Sequence, residues 1–346
     1  MKQLYSIGLV LFAFCLLCRF FRVVADFYAT YLYPGISSVI SWMGARLPFS
    51  LEEIVVLAFI FTLVCILVKA IKNKDGFLSW LSRTAHVVIW IYVWFYMSWG
   101  NNYFRTDLYQ RNCIRKIRVE KEAFTRFLTD YAMELNRAAD DVDVIDPEIL
   151  ELEIRSFYSD VVASYGYTTL HRWQHVKRPI FNPLFSAVTV KGFFGAFFCE
   201  CHVNRSLLEH EYPYVVAHEM GHLAGITSEA EACYWGFEYC RRSVNAAVRY
   251  SGYLAVFPDV LSNARYLLSK DEYGTFIDSI CDKAKADFSA SREYWSGKKL
   301  KWIESTQRRY YNLFLRSNGV SEGIKDYYGV VGMIITMDAW QSQNYS

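Results

Sequence analysis

The stretch YPYVVAHEMGHLAGITSEAEACYW, residues 212–235, sets two histidines and three glutamates along a predicted helix–turn–helix. His218 and His222 are four residues apart, so on a helix they lie one turn apart on the same face. Two imidazoles placed in this way can bind one zinc ion, and Glu219 beside them can take a proton from water. Gly225 is a suitable residue to end the first helix. The stretch therefore predicts a zinc-hydrolase centre with His218 and His222 as metal ligands and Glu219 as the catalytic base.

A catalytic zinc site needs a third protein ligand, and two further glutamates follow the first helix. Ser228 and Glu231 form a capping-box pattern, in which the serine caps the second helix and the glutamate reaches back to its start. Glu229, at the first position of that helix, is then free to face the metal. We predict Glu229 as the third ligand and keep Glu231 as the alternative. The blander interpretation, in which the histidines are only packed helix residues, is disfavoured by their spacing and by the glutamate-rich helix start that follows.

The composition indicates a protein divided between membrane and water. Of the 346 residues, 53% are hydrophobic, 18% are aromatic and 21% are charged. This is too apolar for one ordinary soluble domain and too charged for a chain buried wholly in the membrane. The formal net charge is +2, and no long basic run is interleaved with aromatic residues. Nucleic acid is therefore not an expected partner.

Three apolar runs in the first hundred residues predict transmembrane helices at about 4–24, 51–71 and 84–100. We expect residues 1–100 to form a membrane anchor and residues 101–346 to form a separate domain. The loop between the second and third runs is rich in lysine, so the positive-inside rule places it in the cytoplasm and the large domain outside. A cleaved signal peptide is the alternative for the first run, but no small-residue cleavage site follows it.

After the third run the pattern is mainly helical. Only residues 178–204 have the β-branched, aromatic, proline and glycine residues that are typical of short strands with tight turns. We therefore predict an α+β, mainly helical domain with a small sheet. Six of the nine cysteines lie in the expected outer part, and an even number there permits disulfides. Cys233 and Cys240 on one helix are too far apart to pair with each other. Cys199 and Cys201 are the nearest candidate partners in sequence.

Several segments resemble a single family. They are AHEMGHLAGITSEAEA (217–232), WGNNYFR (99–105), RYSGYL (249–254) and RSNGVSEGIKDYYGVV (316–331). These segments are similar to a family of bacterial three-span membrane proteins known as domain of unknown function 3810. That family is grouped with the gluzincin zinc peptidases, so the resemblance implies a thermolysin-like zinc metallopeptidase domain and the bacterial cytoplasmic (inner) membrane as its location.

The resemblance also carries implications for single residues. It implies that GAFFCECHVN, residues 195–204, is the strand that holds an extended peptide beside the metal helix. The pattern Glu-x-x-Ala from Glu229 to Ala232 matches the second-ligand helix of several gluzincins, in agreement with Glu229 as the ligand. Relatives usually have asparagine where Cys233 stands, and other gluzincins have an aspartate that hydrogen-bonds a ligand histidine. Because such partners tune metal affinity by roughly 10- to 100-fold, the cysteine is expected to weaken the site unless another group supports the histidine.

Two functional hypotheses follow. The first is a membrane-anchored zinc-dependent metallopeptidase that hydrolyses peptide or protein substrates outside the membrane, with zinc as cofactor and the lipid bilayer as a further partner. Tyr250, His202 and Tyr327 are candidate oxyanion donors, although each is more commonly a structural residue. The second is a non-catalytic membrane scaffold or receptor with a structural or degenerate zinc site. Glu219 favours the enzyme, because a structural site needs no base. Proteolysis inside the bilayer is disfavoured, because the motif is polar and flanked by charged segments.

Overall fold

The computed structural model describes residues 2–74, 76–140, 144–300, 313, 318 and 329–344, and it is mainly helical with one small sheet. This confirms the expected balance of helix and strand. The helices are α1 Lys2–Phe20, α2 Arg22–Phe27, α3 Tyr33–Ala45, α4 Leu51–Lys72, α5 Phe77–Ser98, α6 Leu108–Arg111, α7 Lys121–Asp140, α8 Pro147–Asp160, α9 Asn182–Ala187, α10 Tyr212–Leu223, α11 Glu229–Arg242, α12 Ala246–Leu267, α13 Lys270–Ser279, α14 Asp282–Lys298 and α15 Gly329–Asn344. The strands are β1 Val176–Lys177, β2 Gly192–Gly195 and β3 Glu200–Val203.

Within the part of the chain that the structure describes, one helix is long and apolar enough to cross a bilayer, and it is α4. Its N-terminus is capped by Ser50, whose hydroxyl accepts a hydrogen bond from the backbone N–H of Glu53 at 3.1 Å. The expected first span is broken, because the helices Ser6–Phe20 and Arg22–Ala45 are bent by 112° relative to each other. The expected three spans are therefore corrected to one, or to two if the bent pair is a broken span.

The expected third span, residues 84–100, falls in α5, which does not pass as a membrane span. Its side chains include Arg83, His86 and several tryptophans and tyrosines, whose polar atoms lower its hydropathy. At least one of these polar atoms forms a hydrogen bond within the protein, since Nε1 of Trp94 donates to the backbone oxygen of Phe197 at 2.9 Å. The rings of Trp94 and Phe197 also pack together, with their centroids 5.7 Å apart. The aromatic run thus serves packing against the rest of the protein as well as any contact with lipid.

The sheet has the strand order β1-β3-β2, with β1 parallel and β2 antiparallel to β3. Residues 195–204 are therefore not one strand as expected. The chain turns between Gly195 and Glu200, which face each other across the hairpin. Since β3 has a partner on each side, β2 is an edge strand, and no strand among the described residues pairs with its outer edge.

The two faces of the sheet contact different parts of the protein, because side chains alternate along a strand. On one face, the thiol of Cys201 donates to the backbone oxygen of Glu219 on α10 at 3.2 Å. On the other face, the carboxylate of Glu200 binds the ammonium of Lys177 at 2.6 Å and accepts from the backbone N–H of Glu52 at 3.1 Å. We call the residues Glu52, Glu53, Lys177 and Glu200 the anchor cluster, because they join the start of α4 to the sheet.

All nine cysteines are free, so the disulfides that the cysteine count permits, with Cys199 and Cys201 as candidate partners, are not formed. Both side chains are buried, and each is held by the backbone instead. The thiol of Cys199 donates to the backbone oxygen of Ser98 at 3.6 Å, while that of Cys201 binds Glu219 as described above. The two thiols thus act as small packing residues with weak donors.

Candidate metal centre

The helix α10 carries the two histidines and ends where the sequence indicates. It starts at Tyr212 with Pro213 in its first turn, a position where the missing N–H of proline costs nothing. Gly225 adopts a left-handed conformation with φ of +92° and donates to the backbone oxygen of His222 at 3.0 Å. A side chain at this position would be strained, and its Cβ would lie 3.0 Å from the ring of Tyr33. The glycine therefore turns the chain sharply towards α11.

The helix α11 begins at Glu229, directly after its cap. The hydroxyl of Ser228 accepts a hydrogen bond from the backbone N–H of Glu231 at 3.3 Å, which confirms the serine half of the predicted capping box, while the carboxylate of Glu231 binds Tyr167. This cap fixes the first turn of α11 against the end of α10. As a result, the side chain of the first helical residue, Glu229, lies over the histidine face of α10.

Three side chains converge at this point. Nε2 of His218 lies 3.3 Å from Nε2 of His222 and 3.3 Å from Oε2 of Glu229, and Nε2 of His222 lies 3.8 Å from the same carboxylate oxygen. Each residue offers one ligand atom, and the three atoms lie within 4.8 Å of one another. Two imidazole nitrogens and a carboxylate oxygen form a donor set that can hold a divalent metal ion. We call these three residues the ligand cluster.

Glu231, the alternative third ligand, lies elsewhere. Its carboxylate accepts a hydrogen bond from the hydroxyl of Tyr167, and the charges of Arg111 and Arg105 act on it. Burial raises the pKa of this carboxyl, while the tyrosine and the two arginines oppose the shift. The structure thus brings Glu229, and not Glu231, to the two histidines.

The imidazole of His222 is oriented by a hydrogen bond on its Nδ1 side. Its Nδ1 pairs with the backbone oxygen of Ile226 at 2.8 Å, which leaves Nε2 facing the other two side chains. The backbone oxygen of His222 accepts a hydrogen bond from Nε1 of Trp99 at 2.8 Å, and that of Leu223 accepts from the hydroxyl of Tyr33 at 2.7 Å. The last carbonyls of α10 are thus satisfied by side chains from the N-terminal third of the chain.

The imidazole of His218 lacks a comparable support. Its Nδ1 is buried and has no hydrogen-bond partner within the described ranges. Burial by itself lowers the pKa of His218, but the neighbouring thiol of Cys233, through its charge and a weak hydrogen bond, together with Glu229 and Glu219, raises this pKa well above its usual range. The position where a second hydrogen bond is expected is thus occupied by a thiol, a weak partner.

Glu219 lies beside the ligand cluster, and its carboxyl is buried. Burial raises its pKa to about 8; the charge of His218 lowers this value and that of Glu229 raises it. A carboxyl that titrates near neutral pH can both accept and return a proton. The strand β2 passes close to it, since a Cβ added at Gly192 would lie 2.6 Å from Oε1 of Glu219 and 2.9 Å from Val215. Only glycine leaves room for the base at this point of the strand.

The candidate oxyanion donors are not brought to the ligand cluster. The hydroxyl of Tyr250 binds the carboxylate of Asp287 at 2.7 Å. His202 is completely buried on the sheet face turned away from α10, where it stacks on Phe193 with a ring separation of 4.3 Å. Tyr327 lies outside the described residues. The side chains of Tyr250 and His202 therefore bind and pack away from the ligand cluster.

One residue near the site was missed by the sequence reasoning. Tyr103 follows α5 in a short 3₁₀ helix, and its ring contacts that of Trp99 at 5.2 Å. Burial and then the nearby charge of Glu229 raise the pKa of its hydroxyl. Tyr103 belongs to the segment WGNNYFR, which is distinguished in the sequence only by the family resemblance. Nothing in the local pattern of this segment indicates that it contacts α10.

A cavity of about 490 Å³ adjoins the site along α10. Its lining includes Val215, one turn before Glu219, and Tyr214, whose ring lies 6.1 Å from that of His218. The other walls come from α12 and α14, with Leu254, Phe288 and Trp295 among the apolar side chains. The volume lies within the range of roughly 300–1,000 Å³ that is typical of small-molecule sites.

Fold and site together define a mainly helical protein with at least one apolar helix of membrane-spanning length and a buried cluster of two histidines and a glutamate. The chain belongs to the family of proteins of unknown function DUF3810, whose model matches residues 28–335. No curated protein and no solved structure matches the chain. The match confirms the family and carries no statement about its activity.

Proposed function

We propose that this protein is a membrane-anchored zinc metallopeptidase of the gluzincin type, in which His218, His222 and Glu229 hold the metal. The observation that carries the proposal is the convergence of their three ligand atoms at 3.3–3.8 Å. Zinc ligands at about 2.0–2.2 Å from the ion in a tetrahedron lie about 3.3–3.6 Å apart, so the donor set fits. Three protein ligands leave a fourth position open, as in catalytic zinc sites.

The chemistry proposed is hydrolysis of a peptide bond by water. Bound zinc supplies Lewis acidity, which polarises the carbonyl and makes water more acidic. Glu219 takes a proton from the attacking water and delivers it to the leaving nitrogen, while the water oxygen bonds to the carbonyl carbon and the C–N bond breaks. Burial of the Glu219 carboxyl suits this role, because the carboxyl is shielded from bulk water.

Peptides are the substrate class that the surroundings of the site favour. The outer edge of β2 is free of strand partners among the described residues, and β2 passes directly beside Glu219. An extended peptide can pair with such an edge through its backbone. The 490 Å³ cavity lies next to this strand and can receive one of the peptide's side chains. The sheet is bound to the start of α4, and the lysines of this helix lie at its other end. The positive-inside rule places the lysine-rich end in the cytoplasm, so we propose that the site lies on the outer side of the membrane.

A second candidate function is a non-catalytic membrane scaffold or receptor with a structural or degenerate zinc site. The observation that favours it is the unsupported Nδ1 of His218. A ligand histidine without a hydrogen-bond partner binds metal less tightly. Zinc binding without any activity, in wild type and in Glu219→Gln alike, is what this alternative predicts.

The first test is metal analysis of the purified full chain and of two matched variants. We expect Glu229→Ala to lose zinc, because one of three protein ligands is removed, and Glu231→Ala to keep it. The two glutamates are neighbours in sequence, so the pair controls for damage to the start of α11. Zinc kept in Glu229→Ala and lost in Glu231→Ala would reverse the assignment, and a wild type without zinc would refute the proposal.

The second test is activity on a mixture of degenerate peptides, with cleavage detected by mass spectrometry. Loss of a general base typically lowers the rate by about 10²–10⁴-fold. We expect Glu219→Gln to lose cleavage to this extent while it keeps zinc, because the amide cannot accept the proton. Equal cleavage by wild type and by Glu219→Gln would show that the activity does not come from this site.

A further inference from the structure

The position of the site relative to the bilayer follows from α4. This helix has 22 residues, so it is about 33 Å long, close to the roughly 30 Å hydrocarbon thickness of a bilayer. Large apolar side chains along it are exposed, among them Phe61 at 70% and Ile60 at 54%. Lysines lie at its far end, while Glu52 and Glu53 at its first turn are buried in protein. The start of α4 thus marks one surface of the membrane.

The hairpin of the sheet is bound to this same point. The carboxylate of Glu52 accepts from the backbone N–H groups of Phe197 at 2.9 Å and Phe198 at 3.3 Å, both in the turn between β2 and β3. Trp94 binds the same turn from α5. Aromatic side chains with one polar atom are typical of the membrane–water boundary.

The strand β2 leads from this turn to the proposed active site. A Cβ at Gly195 would lie 2.6 Å from Cγ of Glu52, and one at Gly192 would lie 2.6 Å from Oε1 of Glu219. Three residues of strand cover about 10 Å. The catalytic carboxyl is therefore on the order of 10–15 Å from the start of α4, whatever the tilt of the strand.

A second connection, independent of β2, holds the ligand helix near the same region. Trp99, the residue after α5, donates to the backbone oxygen of His222, and Tyr33, at the start of α3, donates to that of Leu223. The C-terminal end of α10 is thus hydrogen-bonded to segments that directly adjoin the apolar helices. Both connections thus tie the site to the N-terminal helices.

We infer that the natural substrates are polypeptides anchored in the same bilayer, cleaved in the few residues next to their membrane anchor. The inference rests on the proposed function and adds the class of substrate. An extended chain covers about 3.3 Å per residue, so a bond at this distance lies about three to five residues from the membrane surface. Confinement to one membrane also raises the effective concentration of such substrates.

The test uses the full chain in vesicles of equal parts phosphatidylethanolamine and phosphatidylglycerol. One degenerate thirty-residue peptide segment is offered in three forms: free in solution, attached to a palmitoyl chain, and attached to a transmembrane helix. Both anchored forms are expected to be cleaved at least about tenfold faster than the free form, with cuts clustered near the anchor. The two anchored forms separate lipid-attached from helix-attached substrates, and Glu219→Gln is the control for contaminating proteases.

Each outcome has one meaning. Cleavage of the free form at the rate of the anchored forms, or cuts spread evenly along the segment, overturns the inference and leaves the peptidase proposal standing. No cleavage of any form by a zinc-loaded protein overturns the peptidase proposal itself. Fast, anchor-proximal cleavage that Glu219→Gln lacks supports both.

Discussion

The two faces of the small sheet each carry a buried cluster of ionisable side chains, and the two clusters differ in how their hydrogen bonds are satisfied. In the anchor cluster, the ammonium of Lys177 uses all its donors, on Glu200 and on the backbone oxygens of Gly44 and Phe49. In the ligand cluster, Nε2 of His218, Nε2 of His222 and Oε2 of Glu229 face one another at 3.3–3.8 Å. A buried ion pair with all its donors satisfied is typical of a structural role, whereas two imidazoles and a carboxylate that converge are typical of a metal site.

The largest expected effect is the loss of Glu200. The change Glu200→Ala leaves Lys177 buried without its counter-ion, so we expect a loss of about 3–5 kcal/mol in the free energy of unfolding. Thermal unfolding of the purified chain measures it. Lys121→Ala, which breaks the exposed pair with Glu272, is the control and is expected to leave the midpoint unchanged. Equal midpoints for the two variants would mean that the anchor cluster is not structural.

Zinc is expected to stabilise the folded protein only by binding to the ligand cluster. At a free zinc concentration one hundred times its Kd, the wild type should gain about 2.7 kcal/mol in the free energy of unfolding relative to chelator. Glu229→Ala should gain far less, while Glu231→Ala should respond like the wild type. The shift in thermal midpoint between zinc and chelator is the measurement. A response of Glu229→Ala equal to that of wild type would contradict the metal assignment.

Two glycines of β2 allow the two clusters to be perturbed one at a time. Gly192→Ala pushes a methyl group against Glu219, whereas Gly195→Ala pushes one against Glu52. Overpacking of this kind costs about 1–3 kcal/mol. We expect Gly192→Ala to lose peptidase activity while it keeps zinc, and Gly195→Ala to lower the thermal midpoint without changing activity per folded molecule. Activity lost equally in both variants would show that the two faces are not independent.

The smallest expected effect concerns His218. Cys233→Asn offers an amide oxygen to the unpaired Nδ1 and should tighten zinc binding by about tenfold, the lower end of the usual influence of such partners. Competition with a chelator of known affinity measures this change. Cys233→Ala, which offers no acceptor, is the matched control and should not tighten binding. If the two variants bind zinc equally well, the missing hydrogen bond is not what limits affinity.

The local chemistry of the site was predictable because it depends on residues close in sequence. The four-residue spacing places His218 and His222 on one helix face, and the cap at Ser228 starts α11 so that Glu229 faces them. The carboxylate of Glu231 was predicted to reach back to the start of α11, whereas in the structure it binds Tyr167. Its partner Tyr167 lies 64 residues away, and no local pattern connects the two.

The membrane part was predicted less well, for a physical reason. Apolar runs indicate where a helix can enter lipid, and this identified α4 almost to the residue. Hydropathy does not indicate that α5 packs its tryptophans on the sheet hairpin, nor that the first run bends at Phe21. These features depend on contacts with distant segments, which compete with lipid for the same apolar surface.

By itself, the sequence determined the helical character of the chain, the end of α10, the start of α11, and the set of side chains able to hold a metal, since all of these follow from spacing, caps and turns. Only the tertiary structure decided that β2 is the edge strand, that Trp99 and Tyr33 close the end of α10, and that Cys199 and Cys201 form no disulfide. These depend on which surfaces meet across long stretches of chain, and that is fixed by packing rather than by local pattern.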